Sequence, residues 1–268
     1  MNEAGAYPSI AAIGRNMAAV AEKHIDRAFR NLLRGPEVVS ERRFLRLITG
    51  EPHPFGNLAI VSDPADPQGT EAALEPLCRC GAPAAALFPG AVTEEVAERL
   101  KANGFDSHGV MPAMAVEVDA LRETVLPSGY SFERVGSGAG GDEWANAFSV
   151  GYDLPRGVGA AFAPDAVHSS SAADVAVQYF AVRKGGRMVS TSLVYLAAGV
   201  AGIYCVATVP EERGKGLGAF ATAEPLRRVR ALGYCVGVLQ SSAAGHSVYC
   251  GLGFADVGVV PLYVRMPR

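Results

Sequence analysis

One stretch limits what this chain can fold into more than any other: Val206-Ala207-Thr208-Val209-Pro210-Glu211-Glu212-Arg213-Gly214-Lys215-Gly216-Leu217-Gly218. An apolar run ends at Pro210, and two acids follow. Then comes a loop with one arginine, one lysine and three glycines. Ala219, Phe220, Ala221 and Leu226 behind it read as a helix. The loop therefore joins a strand to a helix start. A helix start offers free backbone N–H groups and the positive end of its dipole, and glycines let a phosphate approach them. Arg213 and Lys215 add charge to that nest. The loop suits a polyphosphate.

The spacing excludes two familiar phosphate loops. No Gly-Lys-Ser/Thr closes it, so it is not a Walker loop, and it is not the dinucleotide fingerprint. Its pattern is Arg-x-x-Gly-x-Gly, carried by Arg213, Gly216 and Gly218. That pattern behind a strand-ending proline resembles the pyrophosphate loop of the GNAT superfamily of acyl-CoA N-acyltransferases. Tyr249-Cys250-Gly251-Leu252-Gly253-Phe254 resembles the same family's Tyr-x-x-Leu-Gly-Phe. The resemblance covers residues 130 to 268. It implies an α/β (α+β) fold, with a mixed, mostly antiparallel sheet flanked by helices. It also implies acetyl-CoA as cosubstrate, without a metal.

Site roles follow from the resemblance. Val206, Ala207 and Thr208 would pair their backbone with the pantetheine arm, one N–H facing the oxyanion. Arg213, Gly214, Lys215, Gly216, Leu217, Gly218 and Ala219 would hold the pyrophosphate. Tyr249 would be the general acid, since a phenol is protonated at neutral pH and can donate to a departing thiolate. Ser242 stands where many relatives carry a CoA-binding asparagine. His246 lies one helical turn before Tyr249. Relatives often place a glutamate base on the fourth or fifth strand, but neither Ala201–Thr208 nor Cys235–Gln240 contains an acid. Glu143, Asp153 or a water chain stay open for that task.

Composition narrows the rest. A net charge of -3 argues against nucleic acid as main partner and gives no signal for an anionic membrane. Five cysteines, odd in number and mostly in apolar runs, suit a reducing cytoplasm. Cys78-Arg79-Cys80 has no second pair and no nearby histidine, so zinc is not expected. No signal peptide opens the chain. Val189 to Pro210 holds no charge and could span a bilayer by length. Gly199 and Gly202 and the Val/Thr/Tyr/Ile content instead predict two buried strands turning near Ala197-Ala198-Gly199. A homodimer is left open.

Before the loop, Ser9 caps a predicted helix through Ile10, Ile13, Met17 and Val20, and Leu45 with Ile48 suggests a second, short one. Leu58–Val61 and Ala84–Phe88 read as strands. A helix through Leu77 lies between them, and Thr93 caps another that ends at Gly104. Leu100-Lys101-Ala102-Asn103-Gly104-Phe105 echoes the stretch from Tyr249 to Phe254. The 41 residues from Arg213 to Phe254, counted back from Phe105, reach Pro64. Strand, loop, helix, strand and Gly-Phe helix end thus recur, but Asp63 and Asp66 stand where the loop needs cations, and Leu100 replaces Tyr249. Residues 1–121 read as a degenerate GNAT-like half, 122–129 as a linker and 130–268 as the catalytic half. Two unrelated α/β domains are the alternative. Gly136 to Gly141 matches Gly-x-Gly-x-x-Gly by letter but reads as a turn before an Asp142-capped helix. The run from Gly151 to Ala172 reads as a long loop lining the acceptor site.

Two function classes remain. One is an N-acetyltransferase acting on the amine of a small molecule or peptide. The other is a non-catalytic acyl-CoA-binding module.

Overall fold

The structure is a computed structural model, and it describes residues 6–164 and 176–267. The first half of the chain gives helices α1 (Ile10–Ile13) and α2 (Met17–Leu32), then strands β1 (Val38–Ser40), β2 (Phe44–Ile48) and β3 (Asn57–Val61). Helix α3 (Pro67–Arg79), β4 (Ala84–Leu87), α4 (Glu94–Ala102) and β5 (Asp106–Glu117) complete it. Leu121 to Gly129 contains neither helix nor strand. There follow β6 (Tyr130–Val135), α5 (Ala139–Tyr152), α6 (Arg156–Ala160), β7 (Val177–Lys184), β8 (Arg187–Ala197) and β9 (Val200–Thr208). Helix α7 (Leu217–Arg230), β10 (Val236–Gln240), α8 (His246–Leu252) and β11 (Ala255–Arg265) end the chain.

Local chemistry sets several of these boundaries. The Ser9 hydroxyl accepts from Ala12 N–H at the start of α1. Asp66 accepts from Gly69 N–H ahead of Pro67, and Thr93 accepts from Val96 N–H, so α3 and α4 both begin on side-chain caps. The β8–β9 hairpin turns on Ala198 and Gly199, both with positive φ, the geometry that matches strand twist. Helix α7 continues through Pro225.

Three expectations are corrected. Leu45 and Ile48 lie on strand β2, which pairs antiparallel with both β1 and β3. The spacing of three suggested a helix, but Leu45 and Leu47 pack into the core as alternate residues of a strand. The run after Gly151 is not all loop: α5 extends to Tyr152 and α6 follows. Its residues 165–172 lie outside the described residues. Asp142 sits in the first turn of α5, behind an N-cap at Gly138.

Among the described residues the strands form one sheet in the order β1-β2-β3-β4-β11-β5-β10-β9-β8-β7-β6. Only β3/β4 and β9/β10 run parallel, so the sheet is mixed and mostly antiparallel. Outward from the centre, β5-β10-β9-β8 mirrors β11-β4-β3-β2, each with its parallel pair next to the innermost strand. That innermost strand comes from the other half of the chain. β11 lies between β4 and β5, and β5 lies between β11 and β10. The two halves exchange their last strands.

Helices cover both faces. Alternate residues such as Leu58, Ile60, Ala113, Ala115 and Val200 share one core with α2 and α5. Their neighbours point the other way, to α3 and α4 at one end and to α7 and α8 at the other. Helix α2 crosses the middle of the sheet. Its Glu22 carboxylate accepts from Val259 N–H at 2.8 Å, beside the irregular pairing of β11 near Gly258.

His24 of α2 is fully buried against β9, with Nδ1 2.7 Å from the Tyr204 hydroxyl. A Cβ at Gly202 would run into its imidazole. Burial, helped by Arg27, lowers the His24 pKa from 6.5 to about 3. The folded chain thus refuses a proton that the unfolded chain accepts. Stability is expected to be complete above pH 6.5 and to fall below it, by about 2 kcal/mol at pH 5. Chemical denaturation at pH 7 and pH 5 checks this. A His24→Gln variant should start lower and lose less between the two; an equal loss would assign the acid sensitivity to other groups.

Candidate functional site

β9 and β10 share two registered pairs, Ala201 with Gly237 and Gly202 with Val238, and then part. Their counterparts β3 and β4 stay paired from Leu58 to Ile60. The parting coincides with a bulge in β9. Across β8, Leu193 pairs with Tyr204 and Thr191 with Ala207, so Cys205 and Val206 both stand against Ser192. Cys205 takes a φ of 53°. Side chains of β8 hold this shape: Thr191 Oγ1 donates to Cys205 O at 2.9 Å and Ser190 Oγ to Ala207 O at 2.7 Å. Thr208 Oγ1 is 3.0 Å from Ser190 Oγ. Val206 is left out of the β8 ladder and lines the gap between β9 and β10.

The glycine loop follows. Gly214 and Gly216 have φ of +75° and +77°, and a Cβ on either would meet nothing within 4 Å. Gly216 is the N-cap of α7. The helix ladder opens with Phe220 N–H donating to Gly216 O. The amides of Leu217, Gly218 and Ala219 precede it, as the first donors of any helix do. The two cations are engaged within the loop's own frame. Arg213 donates to Thr208 O (3.1 Å) and Gly151 O (2.9 Å), tying the loop to the end of α5. A Cβ on Gly151 would lie 2.7 Å from that of Ala207, so this junction is tight. Lys215 pairs with the buried Glu212 at 2.7 Å, which also holds Lys184 and the Tyr130 hydroxyl. Lys215, Tyr130 and Lys184 bring the Glu212 carboxyl down to about 2. The loop is thus braced from beneath, with open space over its glycines.

At the other end of the gap lies a cavity of about 160 Å³ between the sheet, α2, α5 and α6. Tyr249, Val206 and Ser242 line it on the second-half side, while Ile25, Phe29, Leu58, Leu87 and Met111 come from the first half. Tyr249 is buried on α8, and burial pushes its hydroxyl up to about 12, so it stays protonated. A Cβ on Gly245 would come within 2.9 Å of its ring, which explains a glycine there. Ser242 Oγ accepts from Gly245 N–H at 3.2 Å and so starts the turn into α8. His246 points to Asp256, 2.9 Å away. Glu143 is held by Arg183 and by Met188 N–H, and Asp153 closes α5 in the left-handed region. Neither these acids nor His246 line the cavity.

Sequence reasoning missed the polar floor of the cavity. Gln240, last in β10, donates from Nε2 to Ala21 O at 2.7 Å, and its amide also lies beside the Tyr204 hydroxyl. Its Oε1 is buried and has no hydrogen-bond partner among the described residues. Tyr152 and Cys205 complete this polar group. The available signal was a single amide closing an otherwise apolar strand.

The first half lacks the matching features. Its loop is closed on itself: Asp63 accepts from Ala65 N–H and Asp66 from Gly69 N–H, both at 2.9 Å. A carboxylate of the chain thus occupies the α3 start. Leu100 is buried in the core between α3, α4 and the sheet. Among the described residues no cluster of three or more His, Cys, Asp or Glu could hold a metal ion.

No family model and no curated protein matches this sequence. Solved structures do. A GCN5-related N-acetyltransferase from Kribbella flavida is 20% identical, with 93% of this chain and 95% of that one covered at a TM-score of 0.59. Another from Sphaerobacter thermophilus is 14% identical, covering 98% and 95%, also at 0.59. A tandem GNAT protein from the clavulanic acid biosynthesis pathway is 13% identical, covering 98% and 97%, at 0.55. The likeness spans most of the chain, and the fold is that of the GNAT N-acetyltransferases.

Proposed function

We propose that this protein is an N-acyltransferase that carries an acetyl group from acetyl-CoA directly to an amine. The observation that carries this reading is the parting of β9 and β10 at the Cys205–Val206 bulge. It is joined at one end to an open glycine loop and helix start, and at the other to a cavity holding the Tyr249 hydroxyl. Gly214, Gly216 and the first amides of α7 suit the pyrophosphate by backbone donors. The edge of Val206, Ala207 and Thr208, which β10 does not pair, suits the pantetheine arm. Arg213 and Lys215 brace the loop, and their charge favours an anion there.

In the reaction the amine lone pair forms the new C–N bond at the thioester carbonyl. The carbonyl electrons move onto oxygen, beside the bulge amide, and return as the C–S bond breaks. Tyr249 gives its proton to the departing sulfur and regains one from the nitrogen. A Tyr249→Phe variant keeps the ring and loses this transfer. It is expected to lower kcat about 10²-fold, the low end for general acid catalysis because a thiolate leaves readily, with KM for acetyl-CoA unchanged. Steady-state kinetics beside a melting curve measure this. Full activity at normal stability would remove Tyr249 from the mechanism.

Asp63 and Asp66 repel phosphate, so one CoA per chain is expected, bound by the second half. No helix among the described residues is long and apolar enough to cross a membrane, and the five cysteines are free thiols. Both fit our placement of the protein in the cytoplasm. One observation favours a second reading, a non-catalytic acyl-CoA sensor: among the described residues no carboxylate or imidazole lines the cavity. Product formation across a panel of amines separates the two.

A further inference from the structure

We infer that the acceptor is a lipophilic amine, its body apolar and no bulkier than a single six-membered ring, and that the first half of the chain sets this limit. This deepens the acyltransferase reading and rests on it. Position comes first. The attacking nitrogen must reach a carbonyl held beside Val206, with its sulfur beside Tyr249. Both residues line the cavity of about 160 Å³, so the body of the acceptor lies there. An acyl chain long enough to fill the same space would shut the amine out, which suits an acetyl donor.

The walls select that body. Phe55, Leu58, Leu87 and Met111 line the cavity from the first half, Phe148 and Phe162 from the second. A space of roughly 150 Å³ with Leu, Ile and Phe walls takes up benzene. Phe162 stands edge-on to Phe29 and Phe148, at 5.4 and 5.8 Å between ring centres, and Leu58 and Leu87 are at most 1% exposed. Walls packed this firmly do not open for a second ring. Each methylene buried against them strengthens binding roughly fourfold.

The limit is fixed where the two halves meet. Phe55 stands in the short turn Pro54–Gly56 that leads into β3. A Cβ on Gly56 would lie 3.0 Å from Val158 Cγ2, so this turn and α6 press together without slack. A Cβ on Gly159 would run into Ser149 Oγ, which seats α6 directly on α5. The seam thus holds Phe55 at one depth in the wall, and the first half decides how far an acceptor can extend from the bulge. Phe55 and Met111 are half-buried, unlike Leu58 and Leu87, so they are the wall residues that can be shortened at least cost to the core.

The test follows release of the CoA thiol from acetyl-CoA with propylamine, butylamine, pentylamine, cyclohexylmethylamine and the two-ring 1-naphthylmethylamine. The first four are alkylamines of lysine-like basicity, so any charged group at the mouth acts on them alike. The expected kcat/KM climbs roughly fourfold per methylene from propylamine to pentylamine, peaks at cyclohexylmethylamine and drops about tenfold at 1-naphthylmethylamine. Phe55→Ala and Met111→Ala, each checked by a melting curve, are expected to raise the two-ring to one-ring ratio about tenfold and leave acetyl-CoA affinity unchanged. A flat or falling series, turnover of none of these amines, an unmoved ratio in both folded variants, or hexanoyl-CoA outperforming acetyl-CoA as donor would overturn the inference. If neither variant folds, the wild-type series alone decides. Calorimetry on the wild type keeps the two levels apart. If acetyl-CoA binds and only polar amines are acetylated, the lipophilic assignment alone fails. If acetyl-CoA does not bind, the acyltransferase reading fails with it.

Discussion

A chain beginning at residue 130 is expected to be insoluble when expressed alone, although it carries the whole glycine loop and Tyr249. Strand β10 would lose β5, to which Val236 through Gln240 are all registered. Strand β11 would lose β4 and β5 together and keep no partner in the sheet. Val236, Val238 and Val260, all fully buried, would lie along strands with open edges. An unpaired edge of that apolar character associates with other chains rather than staying monomeric. Helix α2 would also be gone, and with it the cover over β9 and the bond from Gln240 to Ala21. Co-expression with residues 1–129 should restore a soluble complex, since it returns β4, β5 and α2. Solubility, size and a thermal melt of the fragment with and without its complement measure this. A monomeric fragment with a cooperative melt would show that the exchanged strands are dispensable.

Gly216→Asp is expected to raise the Kd for acetyl-CoA by more than 100-fold while the protein stays folded. The position is open, so a side chain meets no crowding, and the φ of +77° adds the modest strain a non-glycine bears there. What changes is charge. A carboxylate at the N-cap accepts the first amides of α7 for itself, as Asp66 does at α3, and repels a phosphate from the same place. Gly216→Ala separates the two effects, carrying the strain without the charge, and should bind only a few-fold more weakly. Calorimetry with acetyl-CoA on both variants reads the outcome. Unchanged affinity in Gly216→Asp would move the phosphate site away from this loop.

The second half was the more legible in sequence, for a physical reason. A phosphate loop must place glycines at fixed offsets from a helix start, and a two-residue hairpin needs positive φ at its turn. Both demands are local and leave marks such as Gly214, Gly216 and Ala198-Gly199. The first half's caps, Ser9, Asp66 and Thr93, were equally local and equally readable. Strand β2 was not, because five residues with Leu45 and Ile48 apolar fit either period, and pairing with β1 and β3 decided the matter. The exchange of β5 and β11 is a choice between partners more than a hundred residues apart, and no spacing encodes it. Arg213 and Lys215 show a further limit. Their residue types announced a positive loop, but the partners that hold them, Gly151 O and Glu212, are set by packing. Gln240 closed an apolar strand as a lone amide, and only the fold put Ala21 above it.

The position of β11 also fixes when this protein can finish folding. Among the described strands it is the last in chain order, yet its place is in the middle of the sheet, between β4 and β5. Until it is made, the first half holds a slot one strand wide, and β5 has only β10 to lie against. Sheet pairings this distant in sequence are slow to form, and their precursors expose apolar edges. Neither half can be completed and set aside while the other is synthesised. Translation must reach Arg265 before the β3/β4 pair has its inner neighbour, so a stop within β11 undoes the beginning of the chain as surely as its end.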